Sequence, residues 1–376
     1  MRFLHTSDWH LGISLGQVSL LDAQAEMIKK IADVCVDRAV DAVIIAGDVF
    51  DQSISSQDAI RLYTEAMERL CLKLGLPVLM IAGNHDGPAR LAQCAGLLEQ
   101  SGLYISGRIH ERKTVVLEDA CFHFFPFHNV AEARLLFPEQ SIQTTDRAMR
   151  ALVQDSLERS PAPEKKQIAL AHCFVLNAVP SGSDRMASAA VGGSTMVEAA
   201  AFDGFDYVAL GHLHGLQSLK YNCNYSGSPI KYSFAEVRQN KGVLIHDTCT
   251  GNTEHVSLNM NFDLLEFEDT FERLCSIADG LTGEDKFARM VMTDLPQTVG
   301  RLDRLRERFP GVISLSGVTT TQTGSDTDLS AEDLQTLKPL EIVRSFYLDE
   351  LSQNLPDEQA KWFEDSWQET ERRPSE

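Results

Sequence analysis

Five apolar runs in this chain each end in residues that can bind a metal ion. The clearest run extends from Val43 to Ala46 and is followed by Gly47 and Asp48, a pattern that predicts a buried strand with one carboxylate at its end. The other four runs precede Asp8-Trp9-His10, Asn84-His85-Asp86, His172 and His212-Leu213-His214. Open α/β sheets place their ligands at such strand ends. The sequence therefore predicts an α/β fold with one shared site.

Segments with helical periodicity lie between the first three of these runs. Apolar positions at helical spacing predict helices over residues 22–40 and 56–74, so the beginning of the chain alternates strand and helix, as in a parallel sheet. Strands near residues 103–106, 114–118 and 121–125 are expected to be antiparallel and to add a second β-rich layer. From residue 262 onward, a strand, helix, strand, helix, strand order predicts a small α/β module.

The length of the chain suggests that it is divided. A chain of 376 residues exceeds what one hydrophobic core usually supports. We expect a main domain over residues 1–260, a capping α/β module over 261–318, a linker over 319–333 and C-terminal helices over 334–376. One face of a predicted tail helix carries Leu340, Val343, Tyr347 and Leu351. This face either docks on a partner protein or folds back on the preceding module.

The net charge limits how the chain could hold nucleic acid. Lys and Arg number 34 and Asp and Glu number 54, which gives a formal net charge of −20. Bulk electrostatic binding of nucleic acid needs clustered Lys and Arg, so any such contact must be local, metal-mediated or supplied by a partner. The eight cysteines form no Cys-x-x-Cys pair, and no apolar run approaches the length of a membrane span. We expect a cytoplasmic protein with reduced thiols and no membrane contact.

The residues at the strand ends combine imidazole and carboxylate groups. Such mixed ligands suit Mn, Fe or Zn rather than Mg or Ca, which prefer all-oxygen shells. Their number predicts two ions that share Asp48. Three further residues would complete the ligand set of each ion. These are Asp8, His10 and His214 for one ion, and Asn84, His172 and His212 for the other. Two cations about 3.5–4 Å apart can lower the pKa of a bound water toward about 7 and neutralise a phosphate, so the predicted reaction is phosphoester hydrolysis.

His85 is not needed as a ligand and is the predicted catalytic imidazole. Beside two ions it can stabilise the charge that develops on the phosphate or protonate the leaving oxygen. Asp51 is expected to accept a hydrogen bond from His85 and so fix its tautomer, and Asp86 to anchor the loop backbone. The remaining six histidines lack this strand-end context and are assigned to packing or solvent: His5, His110, His123, His128, His246 and His255.

Taken together, these motifs resemble the signature of the calcineurin-like metallophosphoesterases. The matching motifs are Asp8-x-His10, Gly47-Asp48-x-x-Asp51, Gly83-Asn84-His85-Asp86, His172 and Gly211-His212-x-His214. Residues 1–12, the Ser226-Gly227-Ser228-Pro229 segment and the small module with its tail are similar to the SbcD group of nuclease subunits within that family. The resemblance implies a two-layered β core flanked by helices and manganese-dependent cleavage of double-stranded DNA ends and hairpins. It also implies an SMC-like ATPase partner, SbcC, bound through the C-terminal helices, and a homodimer within a heterotetramer.

The residues alone leave open which side chains contact DNA and what type of substrate is cleaved. The basic candidates for phosphate contact are Arg90, Arg185 and Lys231, each of which is otherwise a solvated surface charge. A dinuclear phosphatase or small-molecule phosphodiesterase would use the same ligands, although the module after residue 262 and the tail count against it. A scaffold that keeps the fold without turnover is the third alternative, and the intact ligand set counts against it.

Overall fold

A computed structural model describes most of the chain, namely residues 1–181, 196–294, 300–317, 355–356 and 359–363, with residues 340 and 344. The chain divides into two compact units, residues 1–318 and 319–376. In the second unit, Leu340 and residues 359–363 are helical. Arg185 and the predicted face residues Val343, Tyr347 and Leu351 lie outside the described residues. No helix within the described part of the chain is long and apolar enough to cross a membrane.

The first unit contains all the strands of the described residues and most of their helices. The strands are β1 Arg2–Thr6, β2 Ser14–Leu15, β3 Val18–Ser19, β4 Ala42–Ala46, β5 Val78–Ile81, β6 Leu103–Ser106, β7 Thr114–Leu117, β8 Ala120–Phe125, β9 Lys166–His172, β10 Tyr207–Gly211, β11 Gln217–Ser218, β12 Cys223–Tyr225, β13 Gly242–Asp247, β14 Thr253–Ser257, β15 Asp263–Asp269, β16 Lys286–Met292 and β17 Val312–Ser316. The α-helices are α1 Leu21–Asp37, α2 Gln57–Met67, α3 Pro88–Leu91, α4 Ala95–Leu98, α5 Val130–Leu136, α6 Thr145–Glu158, α7 Phe271–Gly280 and α8 Arg301–Arg306.

Two six-stranded sheets form the main body of this unit. The first has the order β14-β13-β1-β4-β5-β6, with β1, β4, β5 and β6 parallel. The second has the order β11-β12-β10-β9-β8-β7, with β8, β9, β10 and β12 parallel. The predicted second layer is therefore confirmed, and β7 and β8 are antiparallel as predicted. The prediction was wrong for β6, which pairs in parallel with β5, because a short apolar run does not encode strand direction.

The two sheets pack against each other, and helices cover their outer faces. In β4, Ala42, Ile44 and Ala46 join the core between the sheets, whereas Val43 and Ile45 join the core beneath α1 and α2. Successive side chains of a strand point to opposite faces, so a strand that is buried on both faces must be apolar throughout. Helix α6 covers the second sheet in the same way. The predicted α/β class, a two-layered β core flanked by helices, is confirmed.

A three-stranded parallel sheet, β15-β16-β17, follows the main body. Helices α7 and α8 share a separate hydrophobic core with it, which includes Phe271, Leu274, Met290 and Leu305. The strand and helix order predicted from residue 262 is confirmed. Leu264, near the start of β15, belongs instead to the core of the first sheet. The proposed domain boundaries stay predictions.

Candidate metal centre

The carboxyl ends of parallel strands from both sheets meet at one edge of the main body. In the first sheet, β1 leads to Asp8 and His10, β4 to Asp48, and β5 to Asn84 and His85. In the second sheet, β9 ends at His172, and β10 leads to His212 and His214. His10 and His214, which are 204 positions apart in the sequence, face each other across this edge. The structure thus brings the predicted ligand residues into one place.

Four of these residues have positive φ angles, one of them His212 at +104°. The φ angle is +53° at Asp8, +43° at His10 and +50° at Asp48. Such angles are uncommon outside glycine and persist where surrounding interactions fix them. Here the Asp8 N–H donates to the Gly47 carbonyl at 3.0 Å, and the His10 N–H donates to the Asp48 carbonyl at 2.9 Å. These bonds hold the loops after β1 and β4 side by side.

Two glycines allow the loops to approach the site closely. A Cβ atom at Gly47, where φ is +91°, would lie 2.4 Å from His172 Nδ1. A Cβ atom at Gly83 would lie 2.1 Å from Asp48 Oδ1. Neither distance is compatible with a side chain, so the glycines of these two motifs are explained by the space that the neighbouring site residues occupy.

The first group of ligand-type side chains contains Asp8, His10 and His214. All three are buried, and their ligand atoms lie within 4.8 Å of one another. His214 Nδ1 lies 2.9 Å from Oε1 of the buried Glu236, so Nδ1 carries the proton and Nε2 offers a lone pair. That Nε2 atom faces His10 Nε2 at 3.2 Å.

The second group contains Asp48, His172 and His212. His172 Nδ1 donates to the Ala46 carbonyl at 2.8 Å, so in the neutral ring the Nε2 atom offers a lone pair. This atom faces Asp48 Oδ2 at 3.4 Å and Asn84 Oδ1 at 3.0 Å. Asn84 Oδ1 also lies 2.9 Å from His212 Nδ1. Asp48 Oδ2 is 3.7 Å from His10 Nε2, which places this carboxylate between the two groups.

The facing atoms of both groups fit metal cations. Two imidazole Nε2 atoms 3.2 Å apart repel each other unless a proton or a cation lies between their lone pairs. The same holds for His172 Nε2 and the two oxygens that it faces, which come from Asp48 and Asn84. Imidazole with carboxylate and amide oxygen is the ligand set of divalent transition-metal sites. The residues of both groups therefore suit divalent metal ions.

The carboxylates make this edge favourable for positive charge. Burial would lower the pKa of His172, but Asp48 and Asp8 outweigh it and raise that pKa to about 9. The pKa of His10 is raised too, because Asp51, Asp48 and Asp8 outweigh its burial. Burial raises the pKa of Asp8. Burial would also raise the pKa of Asp48, but the charges of His172 and His10 outweigh burial and lower it. Asp48 is therefore ionised at neutral pH.

His85 and Asp51 contact each other through a different atom from the one predicted. His85 Nδ1 lies 2.8 Å from the backbone carbonyl oxygen of Asp51, whereas the Asp51 carboxylate lies 3.6 Å from His10 Nδ1. The carbonyl fixes the proton on His85 Nδ1, which is the role expected of the carboxylate. The backbone N–H of His85 donates to Asp48 Oδ1 at 2.8 Å. The Asp51 carboxylate is thus placed to orient His10 instead.

A cleft of about 470 Å³ opens over both groups. His10, Asp48, His85 and His214 are among the side chains that line it, and no Lys or Arg of the described residues does so. Arg90, in α3, donates to the Ser53 carbonyl at 2.7 Å, and Lys231 forms an ion pair with Asp263 at 2.8 Å. The phosphate contacts proposed for these residues, and for Arg185 outside the described residues, stay predictions.

The sequence model of a family described as calcineurin-like phosphoesterase matches residues 1–216, more than half of the chain. This chain belongs to that family. Membership makes it a hydrolase of phosphoester bonds and implies divalent metal ions, in agreement with the groups of ligand-type side chains at the sheet edge, which include a third formed by His10, Asp51 and His85. The family resemblance that the strand-end motifs indicated is confirmed.

Two curated relatives are similar over nearly their whole length. A protein of Staphylococcus epidermidis, named as the SbcD subunit of the nuclease SbcCD, is 29% identical over 96% of each chain. A protein of the same name from Staphylococcus saprophyticus is 28% identical over 97% of each chain. The solved structure of TT1561 of Thermus thermophilus aligns with 69% of this chain and 99% of its own at 13% identity and a TM-score of 0.41, a likeness too weak to bear on function.

This phosphoesterase also has a buried ion pair behind His214 that the motifs did not reveal. Glu236 Oε1 contacts His214 Nδ1, and Glu236 Oε2 lies 2.7 Å from Lys241 Nζ. Lys241 Nζ also donates to the His214 carbonyl at 2.9 Å and to Ser228 Oγ at 2.6 Å. Burial would raise the pKa of Glu236, but His214 and Lys241 outweigh it and lower that pKa to about 2. An ionised carboxylate therefore fixes the tautomer of a ligand-type histidine.

Asp86 anchors the loop backbone, as predicted. Its carboxylate accepts the N–H groups of Val49 at 3.2 Å, Phe50 at 2.9 Å and Gly83 at 2.9 Å. The loops after β4 and β5 are tied together in this way. Burial, reinforced by the charge of Asp48, raises the pKa of Asp86 to about 6.

Proposed function

We propose that this phosphoesterase is a metal-dependent DNA nuclease whose two ligand groups hold two divalent ions that share Asp48. The position of the Asp48 carboxylate carries the proposal. Its Oδ2 atom lies 3.7 Å from His10 Nε2 and 3.4 Å from His172 Nε2, one imidazole from each group. A carboxylate between two sets of nitrogen ligands is the arrangement that a two-metal phosphoesterase needs.

In this proposal each ion takes its ligands from both sheets. The first ion would be bound by Asp8, His10 and His214 in addition to Asp48. The second would be bound by Asn84, His172 and His212 in addition to Asp48. Mn²⁺ is the proposed metal, since imidazole and oxygen ligands together suit it, as they suit Fe and Zn. The two ions would neutralise phosphate charge and activate a water molecule for attack on phosphorus.

His85 is the proposed group for proton transfer. Its ring lines the cleft, and its Nδ1 donates to the Asp51 carbonyl, so Nε2 is the atom that holds or releases a proton there. A group in this position can protonate the leaving oxygen of a phosphodiester. The contribution proposed for Asp51 is positional, because its carbonyl orients His85 and its carboxylate faces His10 at 3.6 Å.

The substrate and partner follow from the two relatives. Both are named as the SbcD subunit of the SbcCD nuclease and match almost the full chain, so we infer cleavage of DNA ends and hairpins in complex with an SMC-like ATPase of the SbcC type. A net charge of −20 fits a subunit that shares its hold on DNA with a partner. Docking through the C-terminal helices, a homodimer within a heterotetramer and a cytoplasmic location belong to the same proposal, and the eight free cysteines favour the last.

The test compares three substrates with the full chain in Mn²⁺, alone and with the co-purified ATPase. The substrates are linear DNA, hairpin DNA and p-nitrophenyl phosphate. We expect cleavage of both DNA substrates, and we expect His85→Ala to abolish it while Mn²⁺ binding is retained, because His85 is not a proposed ligand.

The other outcomes identify the alternatives. Hydrolysis of p-nitrophenyl phosphate with no cleavage of DNA would assign the chain to phosphatases or small-molecule phosphodiesterases. A protein that binds Mn²⁺ and cleaves none of the three substrates, with or without the ATPase, would be a scaffold. Either result would overturn the nuclease proposal.

A further inference from the structure

Aromatic rings line one side of the proposed metal centre. Phe127, just after β8, is 40% exposed, and its ring centre lies 6.3 Å from that of His172 with the planes 80° apart. Phe174, two residues after His172, has its ring centre 6.5 Å from that of His212 at 88°. The rings of His172 and His212 are 5.3 Å apart. The four rings therefore form a continuous row beside the second ligand group.

Exposed apolar side chains follow His172 and His214 in the sequence. Leu176 is 43% exposed, and Leu216, two residues after His214, is 37% exposed. Val179 is 73% exposed, and its backbone N–H donates to Gln217 Oε1 at 2.9 Å, which joins the segments that follow His172 and His214.

The charges around the cleft favour ligand contact through apolar side chains. No Lys or Arg of the described residues lines the cleft, and the chain as a whole carries a net charge of −20. Within the described residues, the cleft therefore offers a DNA strand none of the paired basic side chains that normally bind phosphates. Stacking of bases on aromatic rings needs no positive charge, and it tolerates any sequence because every base has a π face.

We infer that Phe127 and Phe174 form a stacking subsite for an unpaired nucleobase next to the phosphodiester that is cleaved. The inference rests on the proposed nuclease function and adds a specific requirement, namely that the terminal base leaves its partner strand. A nucleotide whose phosphate lies at the ligand histidines has its base within reach of rings that lie 6.3 and 6.5 Å from those histidines. The subsite selects frayed or single-stranded ends and has no base preference.

The experiment combines one substitution with one change in the DNA. The full chain in Mn²⁺ cleaves an oligonucleotide of normal sequence and a second one whose terminal nucleotides are abasic. We expect Phe127→Ala to lower kcat/KM on normal DNA by about 10-fold, the size of one base–aromatic stack. On abasic DNA the wild-type protein shows the same loss, and Phe127→Ala causes no further loss. Phe127→Trp retains wild-type cleavage of normal DNA.

Tyr221→Ala is the matched control. Tyr221 is 45% exposed and precedes β12, so it lies at the amino ends of the strands, away from the ligand groups. Its removal leaves kcat/KM unchanged on both oligonucleotides. Thermal melting of each variant shows whether it is folded. If Phe127→Ala is not folded, the comparison is repeated with Phe127→Leu, which keeps most of the apolar volume.

The failure of the subsite and the failure of the nuclease proposal give different results. If the wild-type protein cleaves both oligonucleotides and Phe127→Ala changes neither rate, or lowers both equally, the stacking subsite is overturned and the nuclease proposal stands. If the wild-type protein cleaves neither, the nuclease proposal fails. Fluorescence anisotropy with the same oligonucleotides then decides the subsite: equal affinity of wild-type protein and Phe127→Ala for normal DNA rejects it.

Discussion

Two sets of buried histidines occupy different environments in this protein. Between the sheets, His5 Nδ1 contacts the Tyr207 hydroxyl at 3.0 Å and His5 Nε2 contacts the Leu210 carbonyl at 3.2 Å. At the sheet edge, His172 and His214 each have one nitrogen against a fixed acceptor, while the other faces a lone pair. Burial is therefore common to both sets, and the partner of the second ring nitrogen distinguishes them.

The pKa values of His5, His123 and His172 follow this difference, whereas burial, with the charge of His172, lowers the pKa of the edge residue His212 to about 3. Burial lowers the pKa of His5 to about 3, and burial likewise lowers the pKa of His123, whose nitrogens contact Ser156 Oγ at 2.7 Å and Gln167 Oε1 at 2.9 Å. At the edge, Asp48 and Asp8 overcome burial and raise the pKa of His172 to about 9. A buried histidine with two neutral partners belongs to the core, and this is the case for His5 and His123, which were assigned to packing or solvent. One beside carboxylates belongs to a site that attracts cations.

The largest expected effect comes from Asp48, the carboxylate between the two ligand groups. We expect Asp48→Asn to lower both Mn²⁺ affinity and DNA cleavage by more than about 100-fold, because changing a residue behind a ligand already costs about 10–100-fold. Isothermal titration calorimetry and cleavage assays measure the two losses. Asp58→Asn, which removes an exposed carboxylate paired with Arg61, is the control and should change neither. Two tightly bound ions in Asp48→Asn would contradict the shared-ligand assignment.

The next effect concerns Glu236, the charged partner of His214, since the core histidines have neutral partners instead. Glu236→Gln replaces the ionised acceptor at His214 Nδ1 with a neutral amide, and we expect Mn²⁺ affinity to fall by about 10–100-fold. It also leaves the Lys241 ammonium without its buried counterion, so the melting temperature should fall too.

A double variant separates the two roles of Glu236. Glu236→Gln with Lys241→Met removes the unpaired charge, and it should regain melting temperature without regaining Mn²⁺ affinity. If both quantities recover together, the ion pair is only a structural element and does not position His214.

The smallest expected effect is a change in the pH dependence of stability caused by His5. Its pKa is lowered to about 3 in the folded protein, so below its unfolded value of about 6.5 the unfolded chain takes up a proton that the native state does not. Stability is thus fully present above that unfolded value and is lost as the pH falls.

Urea unfolding of the metal-free chain measures this effect. Between about pH 6.5 and 5.5, the wild-type protein should lose about 1 kcal/mol more than His5→Gln, whose amide can keep both hydrogen bonds without titrating. Parallel pH profiles of the two proteins would show that His5 is not held neutral.

The arrangement of the site was largely predictable from the chain. The parallel strands of one sheet share one carboxyl edge, so the residues just after Ala46 and Ile81 must converge in the first sheet once the parallel order is known, and His172 and the residues just after Gly211 must do so in the second. The motifs at Asp48 and Asn84 could therefore be predicted to lie side by side, although a long segment of sequence separates them. The β-α-β alternation that gives this order is a local pattern, which is why the sequence carries it.

The features that the sequence did not predict depend on tertiary packing. Glu236 lies in a polar segment without periodicity, and only the folded chain brings it to His214. The Asp51 carboxylate faces His10 rather than His85 because the choice among side-chain rotamers depends on neighbours that are distant in the sequence. Strand β6 was assigned the wrong direction because a run of only four residues carries no signal for strand direction.

Each ligand group crosses the boundary between the two sheets. Asp8 and His10 come from one sheet and His214 from the other, while Asp48 faces His172 across the same boundary. An ion bound there would favour the associated sheets by mass action, by about 2.7 kcal/mol at a free concentration one hundred times its dissociation constant. The thermal resistance of the enzyme would therefore vary with the divalent metal supply of its surroundings, and chelation would loosen the architecture as well as stop the chemistry.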